Sequence, residues 1–181
     1  TILEAGPCQV TQVKTVQKDG YDSVQVGFGE AKIKHLTKPL MGHFNKNSVS
    51  SKRILAEFSK VPSFDYKPGQ VFNVGLFKVG DYITVSGKSK GRGFSGTVKK
   101  YSFSQQRKTH GQGDTHRHVG SIGAASYPSR VFPGKKMPSR YGNKKVSVKS
   151  LEIIKVDKGN NQLLIKGSVP GSVNGIVMIT R

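Results

Sequence analysis

Several residue types are scarce in this chain. Its 181 residues include no tryptophan and one cysteine, Cys8, and only ten of them are acidic. A single cysteine excludes an intramolecular disulfide and a zinc site built from cysteines, and it weakly favours a reducing compartment. The sequence also has no long apolar run and no basic amphipathic pattern, which argues against a membrane partner.

The scarcity of acids leaves a large positive charge. Thirty Lys and Arg residues give a net charge of +20 and a pI of about 10.2. So large an excess repels itself in a compact chain, and it is tolerable when a polyanion neutralises it. Nucleic acid is the commonest such partner, so the composition predicts a nucleic-acid-binding protein.

The charge is concentrated in the middle of the sequence. Residues 88–145 hold fourteen Lys and Arg and one acid, Asp114, for a net charge of +13, whereas the other 123 residues carry +7. This segment has few large aliphatic residues and cannot bury enough apolar surface to order itself alone. A stretch of this kind inside a domain is usually functional or disordered. Its large aliphatic residues are Val98, Val119, Ile122, Val131 and Met137.

Short segments rich in β-branched and aromatic residues lie on both sides of the basic segment. Asp19-Gly20 predicts a hairpin turn between the first two of them. Short, closely spaced strands favour a β-barrel or sandwich, here carrying one long basic arm. Within 38–58, Pro39 could open a short helix in a small insertion. The predicted strands are Val10–Val16, Ser23–Gly27, Tyr82–Ser86, Val146–Val156, Gln162–Lys166 and Ile176–Thr180.

A glycine-rich motif, G-x-G-x-x-G, occupies residues 91–96. A dinucleotide-binding site would need a helix that begins at its third glycine. Residues 97–103 alternate like a strand instead, so we favour a flexible turn approached closely by an RNA backbone. The Walker pattern of nucleotide-binding loops does not occur.

Three histidines, His110, His116 and His118, crowd around Asp114. On a strand, His116 and His118 would share one face. A metal ion would need more ligands than Asp114 supplies, and three neighbouring cations oppose it. A triad of Ser121, His118 and Asp114 has no support, because triads are defined by geometry rather than by adjacency.

A nucleic-acid interface explains more of these residues together. Lys and Arg would contact phosphates, glycines would allow close approach of the backbone, and His, Tyr and Phe would stack on unpaired bases. Packing at the edge of the barrel is the alternative for each aromatic residue, and it is equally favoured for Phe94 and Phe103. The aromatic residues interleaved with the charges are Tyr101, Phe103, Tyr127, Phe132 and Tyr141.

Several longer motifs resemble a known family. "VSGKSKGRGFSGTVKKYSF", "THGQGDTHRHVGSIG", "FPGKKMPSRYGN" and "LLIKGSVPG" closely resemble segments of large-subunit ribosomal protein three of bacterial or organellar type. Upstream, "EAGPC", "GFG" and "KPLMGHF" fit as well. The motifs run in the family's order over essentially the whole chain.

The resemblance implies a fold and a function. We expect a mainly β protein with a six-stranded elongation-factor-type barrel, a small helical insertion and a long extension. Residues 1–86 would form the first part of the barrel with the insertion at about 30–70, residues 87–145 the extension, and residues 146–181 the strands completing the barrel. The extension would run through 23S-type ribosomal RNA towards the peptidyl transferase centre, with residues 118–130 innermost. The family binds this RNA directly, helps to nucleate the large subunit, and consists of structural proteins rather than enzymes.

The resemblance and the charge together predict a set of RNA contacts. The expected protein partners are large-subunit proteins fourteen and nineteen, with no cofactor, no metal, no membrane and no small-molecule substrate. The expected location is the ribosome of the bacterial cytoplasm, or of an organelle. The predicted RNA-binding residues are Lys88, Lys90, Arg92, Lys99, Lys100, Arg107, Lys108, His110, His116, Arg117, His118, Arg130, Lys135, Lys136, Arg140, Lys144 and Lys145.

Two departures from the family and two rival functions remain. Family chains begin with a further segment that contributes a first strand, and we expect this segment to precede Thr1. Ser126 stands where some bacterial members carry a methylated glutamine, so that modification is not expected. The rivals are a DNA-architectural module, which lacks a recognition-helix pattern, and a metal-dependent hydrolase built on the histidines.

Overall fold

The strands and helices fall into two structural units. The computed structural model describes residues 1–62 and 64–181. The first unit, called the body unit below, comprises Thr1–Thr84, Lys149–Ser168 and Thr180–Arg181. The second, called the basic unit, comprises Val85–Val148 and Val169–Ile179. The predicted mainly β class is confirmed, with strands arranged in sheets of five, four and two.

The bounds of the elements are as follows. The strands are β1 (Ile2–Glu4), β2 (Cys8–Lys14), β3 (Ser23–Glu30), β4 (Lys52–Ser59), β5 (Val71–Phe72), β6 (Tyr82–Lys88), β7 (Phe94–Ser95), β8 (Ser139–Arg140), β9 (Lys145–Asp157), β10 (Gln162–Ile165) and β11 (Val177–Thr180). The helices are α1 (Val16–Asp19), α2 (Lys38–Lys46) and α3 (Thr97–Tyr101). Single 3-10 turns lie at Ile33–His35, Val74–Leu76 and Gly113–Arg117. None of the helices in the described part of the chain has the length and apolar character needed to span a bilayer.

The four-stranded sheet contains the predicted hairpin. Its order is β4-β3-β2-β5, and β2 runs antiparallel to β3 with Val13 opposite Val24. The connection is the single helical turn α1, and Gly20 ends it at φ 82°, a conformation that glycine adopts without steric cost. Val10 and Val24 are buried in this sheet, and its register shifts between Val10 and Gln12.

The five-stranded sheet has the order β1-β10-β9-β6-β11. The predicted strands around the basic segment and at the C-terminal end are confirmed to within a few residues. Strands β9 and β10 pair antiparallel across a turn at Gly159-Asn160-Asn161, with Val156 opposite Leu163. Within the body unit the buried side chains of this sheet are Ile83, Leu151, Ile153, Leu163 and Ile165.

Helix α2 begins where Pro39 predicted it. Thr37 precedes the helix in an extended conformation, and Pro39 occupies its first turn, where a missing N–H costs no hydrogen bond. Phe44 is 1% exposed, and His43 Nε2 lies 2.8 Å from Gln25 Oε1 on β3. After α2 the chain continues into β4, which pairs with β3 along its length.

The strand predicted over residues 97–103 is wrong. The chain forms α3 there, and Ser102 ends the helix at φ 58°. Thr97 is buried and Val98 and Tyr101 are half-buried, a spacing of one helical face rather than of a strand. Over five residues the two periodicities are hard to separate.

Candidate nucleic-acid interface

A short antiparallel ladder closes the base of the basic segment. We call it the neck and define it as residues 89–95 and 139–144. Within it β7 pairs with β8, so that Phe94 lies opposite Arg140. The Arg92 amide donates to the Tyr141 carbonyl and the Ser89 amide to the Lys144 carbonyl, both at 2.9 Å. The neck therefore brings the two ends of the basic segment together.

Gly142 is required by the backbone of the neck. Its φ is 72°, and a Cβ built there would collide with the carbonyl oxygen of Lys90 on the facing strand. A side chain at this position would meet both a left-handed backbone and a rigid main-chain atom. The glycine of the R-Y-G-N motif thus has a structural explanation.

The predicted RNA contacts lie at the surface of the basic unit. Fifteen of the seventeen side chains are exposed, and only Lys100 and His116 are half-buried. Exposed ammonium and guanidinium groups can reach phosphate oxygens without repacking of the protein. The exposure is compatible with the predicted set but does not by itself test any member.

Acidic side chains do not compensate this charge. The ion pairs found in residues 1–62 and 64–181 all lie in the body unit, as in the pair of Lys14 and Glu57 at 2.7 Å. The basic unit holds one acid, Asp114, against fourteen cations. Its net charge of +13 is therefore available to an external polyanion.

Cations lie over several of the aromatic rings that the sequence singled out. Lys100 Nζ is 4.9 Å from the centre of the Tyr101 ring, and Lys136 Nζ lies 5.8 Å from the same ring. Arg92 stands 5.7 Å from the Tyr141 ring in the neck. The Lys100 ammonium beside the phenol also lowers the pKa of Tyr101 below its usual range. These rings hold cations together at the surface, which concentrates positive potential there.

Other aromatic rings are largely exposed, and the Arg130 guanidinium lies 5.8 Å from the centre of the Phe132 ring. The side chain of Tyr127 is 90% exposed, that of Phe94 78% and that of Phe132 58%. For Phe94, the alternative of packing at the edge of the sheet is wrong, because the neck places its ring outside. Exposed rings beside cations are suited to stacking on unpaired bases.

The histidines do not lie on a strand. His116 belongs to the 3-10 turn Gly113–Arg117, and His118 follows it, so the two do not share a strand face. Gly111 and Gly113, at φ 75° and 59°, turn the chain where a strand would continue. Among residues 1–62 and 64–181, no group of three or more His, Cys, Asp or Glu side chains is placed to hold a metal ion.

The first five residues of the glycine-rich motif at 91–96 lie within the neck. A helix does follow its third glycine, so our statement that a strand follows was wrong. However, α3 has only five residues, and the short strand β7 lies inside the motif itself. The unit of strand, loop and long helix that a dinucleotide site requires is not formed by these residues.

A surface cavity of about 660 Å³ that is wide open to solvent lies in the basic unit, and sequence reasoning missed it. Its wall includes the neutral polar side chains of Thr97, Gln106 and Thr115 together with Arg117 and His118. Arg117 and His118 were predicted from charge and from the histidine cluster. The three neutral residues carry no charge signal and come from separate segments, so only the folded chain reveals that they meet.

Comparison with known proteins identifies the class to which these features belong. The family model described as "Ribosomal protein L3" matches residues 57–163. Proteins named "Large ribosomal subunit protein uL3" from Thermotoga petrophila and Thermotoga maritima are 47% identical to the chain over 179 residues. The match covers 99% of this chain and 85% of each relative.

The matched class is that of structural proteins of the large ribosomal subunit, which are not enzymes. The chain belongs to the ribosomal protein L3 family. Membership implies association with large-subunit ribosomal RNA and with other ribosomal proteins. The bacterial relatives place the chain among cytoplasmic ribosomal components.

Proposed function

We propose that the chain binds 23S-type ribosomal RNA directly through its basic unit and helps to nucleate assembly of the large subunit. The observation that carries this proposal is the uncompensated charge of +13 on exposed side chains. Free Lys and Arg groups would replace metal ions between closely packed phosphates, releasing counterions as they bind.

The finer architecture belongs to the same proposal. The two larger sheets would correspond to the six-stranded elongation-factor-type barrel of the family, with its helical insertion at about 30–70. Residues 87–145 would extend from it towards the peptidyl transferase centre, with residues 118–130 innermost. Gly120, at φ 79°, supports a bend there, and Ser121 Oγ donates to the Gly123 carbonyl at 3.0 Å. The neighbouring proteins would be large-subunit proteins fourteen and nineteen.

The seventeen predicted residues divide by role in this proposal. The fourteen Lys and Arg side chains bind phosphates, whereas His110, His116 and His118 hydrogen-bond to RNA or stack on it. The exposed rings of Tyr127 and Phe132 add stacking surfaces. The chain supplies no catalytic group, and the chemistry nearby would be that of the RNA.

Salt dependence of binding tests the proposal. Roughly eight phosphate contacts give a slope of log affinity against log salt of about −6 to −7 with folded large-subunit RNA. A slope near zero would contradict direct phosphate binding. Duplex DNA is the matched polyanion control, and a preference for it would favour the DNA-architectural alternative.

The location of the chain in the particle provides a second readout. In cell extracts the protein should sediment with the large subunit, and residues 91–140 should resist protease there while being cleaved in the free protein. Cleavage of this segment within the subunit would contradict a buried extension.

A further inference from the structure

The neck has one covered face and one open face. Ser95 is 5% exposed, and Ser139 and Tyr141 are half-buried, whereas Phe94 and Arg140 are exposed. Successive side chains of a strand point to opposite faces, so this alternation places Phe94 and Arg140 on the same side of the ladder. The open face of the neck therefore carries an aromatic ring and a guanidinium group.

These two exposed side chains are neighbours across the ladder. Strand β7 pairs antiparallel with β8, and Phe94 lies directly opposite Arg140. Side chains in this relation have Cβ atoms about 4.5–5.5 Å apart, so the guanidinium can reach a group that lies on the ring. The Tyr141 amide donates to the Gly93 carbonyl at 2.9 Å, which holds the backbone beside the pair. The ring and the cation thus extend from a hydrogen-bonded backbone.

The Phe94 ring is accessible to an external partner. Its side chain is 78% exposed, and among the described residues no second ring and no cation is stacked on it. A Cβ built on Gly93 or Gly96 would meet no other part of the chain within 4 Å, so the space along the chain beside the ring is open. A partner that covers this ring would remove apolar surface from water.

The charges around the ring favour RNA over a protein as that partner. The neck contains no acidic residue and four cations, Lys90, Arg92, Arg140 and Lys144. Protein–protein interfaces are depleted of charged residues at their core, whereas aromatic rings among Lys and Arg are typical of proteins that bind single-stranded nucleic acid. One nucleotide can satisfy both exposed side chains, because its base stacks on a ring while its phosphate pairs with a guanidinium.

We propose that the open face of the neck holds one unpaired nucleotide of the bound RNA. The base stacks on the Phe94 ring, and the Arg140 guanidinium binds the phosphate of the same nucleotide. This inference rests on the proposed RNA-binding function. It adds a contact with an unpaired base at the neck to an interface whose phosphate contacts carry no information about base pairing.

Substitutions of Phe94 test the stack. Phe94→Leu keeps an apolar side chain and removes the ring, and it should weaken binding of the full chain to folded large-subunit RNA by at least about 5-fold. Phe94→Tyr keeps a ring and should restore most of that affinity. The salt slope should change in neither variant, because no phosphate contact is lost. The matched control is Tyr82→Leu, at a 64% exposed ring on β6 of the body unit, which should leave the affinity unchanged.

Arg140 provides a test of the shared nucleotide. Arg140→Gln should reduce the magnitude of the salt slope by about 1. Because both side chains hold the same nucleotide, the double variant with Phe94→Leu should lose less affinity than the product of the two single losses. Arg107→Gln removes an exposed cation outside the neck, and its loss should multiply with that of Phe94→Leu. Multiplicative losses for Arg140 as well would overturn the inference.

Fluorescence reports the contact at the ring itself. The chain contains no tryptophan, so Phe94→Trp introduces its sole indole. Folded large-subunit RNA should quench this emission, because a base would stack on the indole. The melting temperature should stay close to that of the unsubstituted protein, since the position is exposed. Tyr82→Trp is the matched control and should not be quenched.

The outcomes separate this inference from the proposed function. If the unsubstituted protein binds RNA with a steep salt slope, but Phe94→Leu binds equally well and Phe94→Trp is not quenched, the ring does not contact RNA. That result overturns the inference and leaves the proposed function standing. A blue shift of the Phe94→Trp emission that occurs only in the assembled subunit would assign the ring to a neighbouring protein and would also overturn it. Absence of salt-dependent RNA binding overturns both.

Discussion

The body unit and the basic unit differ in buried hydrophobic side chains, in ion pairs and in net charge. Among the residues that the structure describes, ten of the eleven buried hydrophobic side chains, including Phe44 and Ile153, lie in the body unit, and Val85 lies in the basic unit. The body unit also contains the ion pairs found in the described residues. In the described residues, the basic unit has that one buried hydrophobic side chain and no ion pair, and its charge of +13 opposes compaction.

This difference in buried hydrophobic side chains and ion pairs indicates which of the two units would depend on a bound partner for its order. A unit with a hydrophobic core can stay folded in the absence of other molecules. Under the proposed function, a unit held by a neck, a few cation–aromatic contacts and glycine turns would gain its order from the RNA that neutralises its charge. The neck is the part of the basic segment whose backbone is paired in a ladder, and the residues between its two strands carry most of the remaining positive charge.

The largest expected effect contrasts one substitution made in each unit. Phe44→Ala should lower the free energy of unfolding of the full chain by about 3–5 kcal/mol, because it empties a fully buried site. Phe132→Ala, at a ring that is 58% exposed, should change it by about 0.5 kcal/mol or less. Urea denaturation followed by circular dichroism measures both. Equal losses would mean that the basic unit has a core of its own.

The next effect contrasts charges in the two units. Replacing Arg92, Lys99, Arg130 and Arg140 together by glutamine should reduce the magnitude of the RNA-binding salt slope by about 3. At moderate salt this should cost roughly a hundredfold in affinity. The matched control replaces four exposed lysines of the body unit, Lys32, Lys34, Lys38 and Lys46.

The control variant has the same change in net charge and should shift the slope by less than about 1. Filter binding over a range of salt concentrations measures both variants. If both lose the same affinity, total charge rather than the basic unit governs binding, and the proposed division of labour fails.

The sequence predicted the body unit better than the basic unit. The Asp19-Gly20 turn located the hairpin of β2 and β3, and Pro39 located α2, because both signals are local. Helix α3 was missed because a segment of five residues fits a helix and a strand about equally well. Charge counting found the basic segment as a whole, since charge needs no conformation to be recognised.

Turn residues, proline and charge did not predict the features that depend on contacts between distant segments. The cavity joins Thr97, Gln106, Thr115 and Pro138, which are separated along the chain and carry no charge. The clash that reserves position 142 for glycine depends on the carbonyl of Lys90 across the neck. Both features arise from how distant segments pair, and no periodicity of the sequence encodes that pairing.

The smallest expected effect is acid sensitivity confined to the body unit, which holds nine of the ten acids. Glu57 Oε1 lies 2.7 Å from Lys14 Nζ, and the Tyr21 hydroxyl donates to Glu57 Oε2 at 2.8 Å. The hydrogen bond from Lys14, followed by that from Tyr21, lowers the pKa of Glu57. Asp157 behaves similarly, because the Asn160 side chain donates to it at 3.0 Å and lowers its pKa.

A carboxyl group whose pKa is lowered by folding stabilises the folded state above its unfolded pKa, about 4.3 for glutamate. That contribution is lost as the pH falls below this value and through the lower pKa of the folded state. Denaturation midpoints should therefore fall from pH 6 to pH 3, and Glu57→Gln should flatten this dependence without abolishing it, because Asp157 remains. Both groups are near the surface, so the effect should be small and weaker at high salt. A steeper acid dependence in Glu57→Gln would mean that Glu57 does not stabilise the folded state in its ionised form. The ion pair with Lys14 would then not contribute to the stability of the body unit.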